Sequence, residues 1–228
     1  MNTPATAPPD WLIREVECRL HFASSGKAQP WLGPALRGVT SIELKTRVCQ
    51  QPRELRDTRW RWCSGCSFMR ECAHGQLFEP DPPPSVEVMK GQEEPTPPLV
   101  LNPFFPLPEV LEAGSVVGLR IKTIGDPARR FVPALIEALE LGGRRGLGSG
   151  RDRLFFEVER REASTWSVST SDLPARPDAL PGRIPRLLVK LESPLFLQAR
   201  DERGRKRAIL EPSFSDLLRA SLRTLGQL

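Results

Sequence analysis

The chain has no tyrosine, only two histidines, and six lysines against 27 arginines in its 228 residues. It has no stretch approaching the roughly 18 consecutive apolar residues of a membrane span, and its opening, MNTPATAPPDW, lacks the basic and apolar regions of a signal peptide. The expectation is a cytoplasmic protein with no membrane partner. Also missing are a G-K-[ST] phosphate loop, an H-E-x-x-H helix, a Ser/His/Asp array and clustered carboxylates, so nothing argues for the enzyme classes those patterns serve.

What is present is enough apolar sequence, 39% of residues, to bury a core, and a modest basic bias of +5. Arginine forks onto phosphate and stacks on bases better than lysine, so its excess fits an RNA partner. A GC-rich genome would inflate Arg, Ala, Gly and Pro in the same way, and composition alone favours nucleic acid only weakly. Five cysteines in a cytosolic chain are metal ligands or buried thiols rather than disulfides.

Periodicity orders the chain. Val16, Cys18, Leu20 and Phe22 alternate with polar residues as in a half-buried strand. Leu32, Leu36 and Val39 have helical spacing in the segment after Pro30. From Pro80 to Pro108 repeated prolines predict a long connection, with one short strand at PLVLN. Val117, Leu119 and Ile121 give a second alternating strand. A helix is predicted from about Arg130 to Leu141, with Phe131, Leu135 and Leu139 on one stripe and Gly142-Gly143 as its stop. Leu154, Phe156 and Val158 alternate in a third strand.

This outline predicts an α+β chain with a ferredoxin-like (RRM-like) domain over 11–163, carrying a Cys-rich insertion at about 49–80. Its open sheet face would present Arg19, His21, Arg120 and Lys122. A linker is expected over 164–185, followed over 186–228 by a partial second ferredoxin-like domain. That part would hold a hairpin around Arg203-Gly204 and a helix with Phe214, Leu217, Leu218 and Leu222 on one stripe. So small a unit rarely closes its own core, so another chain is expected to complete it.

Cys63-Ser64-Gly65-Cys66 is a C-x2-C knuckle flanked by Cys49 and Cys72, and four thiolates at those spacings can wrap one structural zinc. His74 could replace either outer cysteine. Reduced loop thiols or a redox pair are the alternatives, although no thioredoxin-like context surrounds the pair. Cys18 lies on an apolar strand face and is most simply a core residue.

The run GGRRGLGSGRDR sets Gly146, Gly148 and Gly150 among Arg144, Arg145 and Arg151, which suits an RNA backbone. A solvated connecting loop would read the same way. His21, on the open face, is the candidate general acid or base for metal-free RNA cleavage, or a polar-face residue with no catalytic role.

Taken in order, the strand ending at Phe22, Trp31-Leu32-Gly33-Pro34-Ala35-Leu36-Arg37-Gly38, the cysteines at 49, 63, 66 and 72 followed by Gln76-Leu77-Phe78-Glu79-Pro80, and GLGSGRDRLFFEV make the chain similar to a known family. It resembles the CRISPR repeat-processing endoribonucleases of the RAMP superfamily, in the branch with an internal Cys cluster. The resemblance implies paired ferredoxin-like domains that bind a CRISPR repeat hairpin and cut it without metal through 2′-hydroxyl attack. By position it implies RNA contact at the Trp31–Gly38 helix start, including Arg37, and at the Gly146–Gly150 loop, with His21 as the catalytic candidate.

The family's second domain and terminal glycine-rich loop have no counterpart before Leu228. The expectations are therefore CRISPR RNA as partner, other CRISPR-associated subunits, and either repeat cleavage or non-catalytic guide binding. A zinc-knuckle scaffold without RNA is a third reading, which leaves the Arg-Gly loop unexplained.

Overall fold

In the computed structural model the described residues are 11–27, 32–51, 63, 66–80, 97–148, 153–168, 198–200, 206–209 and 212–218. The strands are β1 (Trp11–Phe22), β2 (Gly26–Lys27), β3 (Leu99–Pro103), β4 (Val110–Leu111), β5 (Val116–Ile124), β6 (Phe156–Val168), β7 (Gln198–Arg200) and β8 (Lys206–Ala208). The helices are α1 (Leu32–Val48), α2 (Ala73–Phe78), α3 (Asp126–Arg129) and α4 (Val132–Arg145), with a further helical turn at 214–218.

Alternation in the sequence becomes two-sidedness in space. One four-stranded sheet has the order β3-β5-β1-β6, with every neighbouring pair antiparallel. Val16, Cys18, Leu20 and Phe22 of β1, Val117, Leu119 and Ile121 of β5, and Phe156 of β6 point to the same buried side. Each fully buried side chain of this size is worth roughly 1.5–3 kcal/mol, which is why the register of β1 against both neighbours is fixed. It slips once, at a bulge between Val16 and Cys18 opposite β6.

Helices α1 and α4 cover that side. Leu32, Leu36, Val39 and Leu44 of α1 and Val132, Leu135, Ile136 and Leu139 of α4 are buried, as helical spacing requires for one apolar stripe on each. Helix α1 runs to Val48, the whole of the segment read as helical, although the apolar spacing is clearest in its first half.

The glycine pair at 142 and 143 does not stop α4, which continues to Arg145. Instead these glycines let two elements approach. A Cβ on Gly142 would lie 3.0 Å from Val39 of α1, and one on Gly143 only 2.1 Å from the Phe156 carbonyl oxygen. The helix ends at Gly146, whose φ of +84° few other residues adopt and whose N–H donates to the Gly142 carbonyl at 2.9 Å.

The predicted strand at PLVLN is β3, on the sheet edge. Gly33 packs against its Leu101 carbonyl and Pro103, and Arg37 donates to its Leu99 carbonyl at 3.4 Å, so α1 covers part of that edge.

One boundary differs from expectation. Ser164–Val168, predicted to open the linker, continue β6 and pair with β1 as far as Trp11↔Val168, because β1 is long enough to template them. Toward the C-terminus, β7 and β8 pair antiparallel around 201–205, matching the predicted hairpin, and Ser213 and Asp216 cap the turn at 214–218 reciprocally. Phe214 and Leu218 are exposed there, while the rest of the linker and Leu222 lie outside the described residues. No helix among the described residues is long and apolar enough to cross a membrane.

Candidate metal corner and nucleic-acid interface

Three sets of predicted site residues occupy three places. The first is a corner between α1 and α2. The chain turns at the knuckle, where the Cys66 N–H donates to the Cys63 carbonyl at 2.8 Å, and winds through Met69 and Cys72 into α2. Gly75 of α2 touches Met69 so closely that a Cβ would sit 2.8 Å from its side chain.

Arg37, Ser41 and Lys45 recur every four residues on α1 and form a polar stripe beside the apolar one. Each meets the corner. The Arg37 guanidinium lies 4.9 Å from the Phe78 ring centroid, Ser41 Oγ is 2.9 Å from His74 Nε2, and Lys45 Nζ is 3.9 Å from Glu79 Oε1.

His74 is 1% exposed and stacks on Phe78 at 5.4 Å. Burial lowers its pKa to about 4, so at neutral pH it is an uncharged imidazole. Its Nδ1 lies 3.3 Å from Cys63 Sγ. Burial, and then the Glu79 charge, push the Cys63 thiol up to about 12. The network therefore assigns the thiol as donor to Nδ1 and Nε2–H as donor to Ser41. Glu79 Oε2 accepts from the Cys63 N–H at 2.5 Å.

The ligand atoms of Cys63, His74 and Glu79 all lie within 4.8 Å of one another. This is the grouping found among the described residues, and Cys49, Cys66 and Cys72 stand outside it. Sulfur, imidazole nitrogen and carboxylate oxygen are donors that zinc accepts, and the Ser41 bond to the far ring nitrogen is the kind of outer contact that orients a ligating histidine. The donor set of Cys63, His74 and Glu79 is one that could hold a metal ion. Sequence reading kept His74 as a substitute ligand but missed Glu79 and Ser41; the stripe at 37, 41 and 45 was the available signal.

The second place is the open sheet face. Arg19, His21, Arg120 and Lys122 lie there as expected, but the face is not simply basic. Arg120 pairs with Glu15 at 3.1 Å and Glu17 at 2.8 Å, and Lys122 with Glu15 at 3.0 Å. His21 Nε2 is 2.9 Å from Glu159 Oε2, and Arg161 is 2.9 Å from the other oxygen. That His21 bond, reinforced by Arg161 and Arg19, holds the Glu159 carboxyl below its usual range, and the Glu17 bond raises Arg120. The same alternation that exposes the cations exposes these glutamates between them. Arg19 is exposed and lies opposite Glu159 in the ladder between β1 and β6.

The third place is the glycine-rich segment. Leu147 and Leu154 exchange backbone hydrogen bonds of 2.9 and 3.0 Å and are both buried, so these two residues form a closed neck. Gly148, exposed, has φ +89°. Arg145 pairs with Glu43 at 2.7 Å, whereas Arg144 is exposed with no ion-pair partner among the described residues. Gly150 and Arg151 lie outside those residues. Ala23 N–H donates to the Phe155 carbonyl, so this neck and His21 share one end of the sheet. Arg37 is instead anchored between Leu99 and Phe78, where burial lowers its pKa, and it lines a groove of about 570 Å³ with Ser41 and Glu79.

No curated protein matches the sequence. A solved structure, the Csm3-Csm4 subcomplex in the type III-A CRISPR-Cas interference complex, is similar with a TM-score of 0.43 and 17% identity, over 73% of this chain and 83% of that one. The family description AF_1859_N, an N-terminal domain, matches residues 11–173, the span that holds the antiparallel sheet, both covering helices and the cysteine corner. The chain therefore belongs to the AF_1859_N N-terminal domain family.

Proposed function

We propose that the protein is a CRISPR-associated RAMP protein that binds CRISPR repeat or guide RNA. What supports this reading is the ordered set of segments that resembles the RAMP family and that the fold arranges around one antiparallel sheet: the strand ending at Phe22, the helix beginning near Leu32, the cysteine corner, and the Gly146–Gly148 turn ahead of β6. Read as β-α-β-β-α-β with the order β3-β5-β1-β6, the sheet is ferredoxin-like, with a second, partial unit after the linker. The RNA contacts are Arg144, Arg145, Arg151 and the adjoining glycines, with Arg19 on the open face. The setting is cytoplasmic.

Zinc, when bound, supplies folding energy in a closed site rather than a reactive water. Cys63, His74 and Glu79 would hold it, with Cys49, Cys66 and Cys72 as the further thiols that the sequence offers. About one zinc per chain is expected; Cys63→Ser should lose it and Cys18→Ser should not.

The His21–Glu159 contact favours a second reading, in which the protein also cuts its RNA. A carboxylate on one ring nitrogen fixes the orientation of the imidazole, as a group that transfers protons needs. One experiment tests both. Labelled CRISPR repeat RNA is incubated with the protein in EDTA. A cyclic-phosphate product lost in His21→Ala supports cleavage, tight binding without product supports a guide-binding subunit, and no binding at all refutes the RNA reading. Exposed Phe214 and Leu218 support a further CRISPR subunit as the partner of the C-terminal unit.

A further inference from the structure

Gly118 lies in the middle of β5, a central strand, where glycine weakens a sheet and often marks a close approach. What approaches is Phe104, just beyond β3. A Cβ on Gly118 would sit 2.5 Å from the Phe104 ring, so only glycine lets that ring lie across the sheet. Its own N–H fixes it there by donating to the Gly118 carbonyl at 2.8 Å. The Arg120 guanidinium lies 5.0 Å from the ring centroid and is itself tied to Glu15 and Glu17. The ring is thus a braced part of the open face, yet Phe104 remains 42% exposed.

Beside it is a cavity of about 620 Å³, bounded by Glu17, Arg19, Phe104, Val116, Gly118 and Arg161. That volume lies within the roughly 300–1,000 Å³ usual for small-ligand sites. One wall is aromatic, and the rim carries the exposed cation Arg19, which lies opposite Glu159 in the β1–β6 ladder.

We infer that this cavity is a nucleotide site, in which one unpaired base of the bound RNA stacks on Phe104 while Arg19 meets the adjoining phosphate. The inference rests on the RNA-binding reading above and adds a contact, Phe104, that charge alone does not point to. A base suits the site better than an apolar protein side chain. Its flat face is attracted to an aromatic ring and to nearby guanidinium groups, and it brings a phosphate for Arg19. An apolar side chain would leave Arg19 partly desolvated with nothing in return.

The test uses the full chain and fluorescently labelled single-stranded CRISPR repeat RNA, with affinity read by anisotropy. Phe104→Leu keeps an apolar cover over Gly118 but removes the π face, and should weaken binding on the order of ten- to a hundredfold at unchanged melting temperature. Phe104→Trp should restore wild-type affinity or better. Gly118→Ala, which displaces the ring without touching a charge, should mimic Phe104→Leu. Equal affinity for wild type and Phe104→Leu would overturn the proposal while leaving RNA binding intact. So would equal weakness of the Leu and Trp variants, which would make the ring a packing piece. A wild-type protein that binds no RNA would overturn the functional reading and this site with it.

Discussion

The two faces of the central sheet are written by the same strands one residue apart, yet they are held in different ways. On the covered face, Leu20, Leu119, Ile121 and Phe156 are all but inaccessible and pack against two helices. On the open face, Glu15, Glu17, His21, Arg120, Lys122, Glu159 and Arg161 are joined by contacts of 2.8–3.1 Å but remain partly wet. Burial stabilises in proportion to area removed from water, whereas exposed ion pairs gain little in high dielectric. Stability should therefore reside on one side of the sheet and recognition on the other.

The sharpest way to break that contrast is to empty the covered face. Leu119→Ala should cost about 2–5 kcal/mol, read from the urea midpoint, because the helices above can collapse only in part. A loss under 1 kcal/mol would mean that this face is not the core.

Cys18, 2% exposed on the same face, allows a test by pH. Burial raises its thiol from 9.0 to about 11, outweighing the nearby Arg160. The unfolded chain therefore releases this proton first, and the stabilising contribution, complete below pH 9, is lost as pH rises toward 11. The share due to Cys18 should reach roughly 2–3 kcal/mol and be missing in Cys18→Ala, which keeps only the alkaline loss that other raised groups such as Cys63 contribute.

Gly143→Ala probes the closest contact between a helix and the sheet. With a Cβ only 2.1 Å from the Phe156 carbonyl, α4 must shift, at about 1–3 kcal/mol by thermal or urea unfolding. The same change at Gly38, which has open space around it, should be neutral or slightly stabilising, since alanine favours a helix.

The smallest effect belongs to the open face. Arg120→Ala removes the links to Glu15 and Glu17 and the stack on Phe104, yet should cost no more than about 1 kcal/mol of stability, and less in high salt. A loss above 2 kcal/mol would show that the charged face is structural and would erase the distinction between the two sides.

Much of the fold was legible because its signals are local. Alternation at 16–22 and 117–121 located β1 and β5, and helical spacing at 32, 36 and 39 and at 135 and 139 located α1 and α4. The glycines were harder, since the residue type is compatible with a stop, a turn or a tight crossing. Only packing against Val39 and Phe156 separates Gly142 and Gly143 from Gly146, the one that ends the helix. The corner was half legible. Cys63 and His74 stood out by residue type, but Glu79 and Ser41 acquire meaning only when α1 is laid beside α2.

What the sequence by itself determined is which residues face inward and which outward, because strand and helix periods are properties of a few consecutive side chains. What only the tertiary structure decided is the company each outward residue keeps. Arg120 and Lys122 read as a basic face until register against β1 set Glu15 and Glu17 beside them, 100 or more residues away in the chain. Phe104 read as part of a proline-rich connection until β3 paired with β5 and laid its ring over Gly118. Pairing energies depend on distances of a few ångströms between residues remote in sequence, and those distances exist only once the strands are in register.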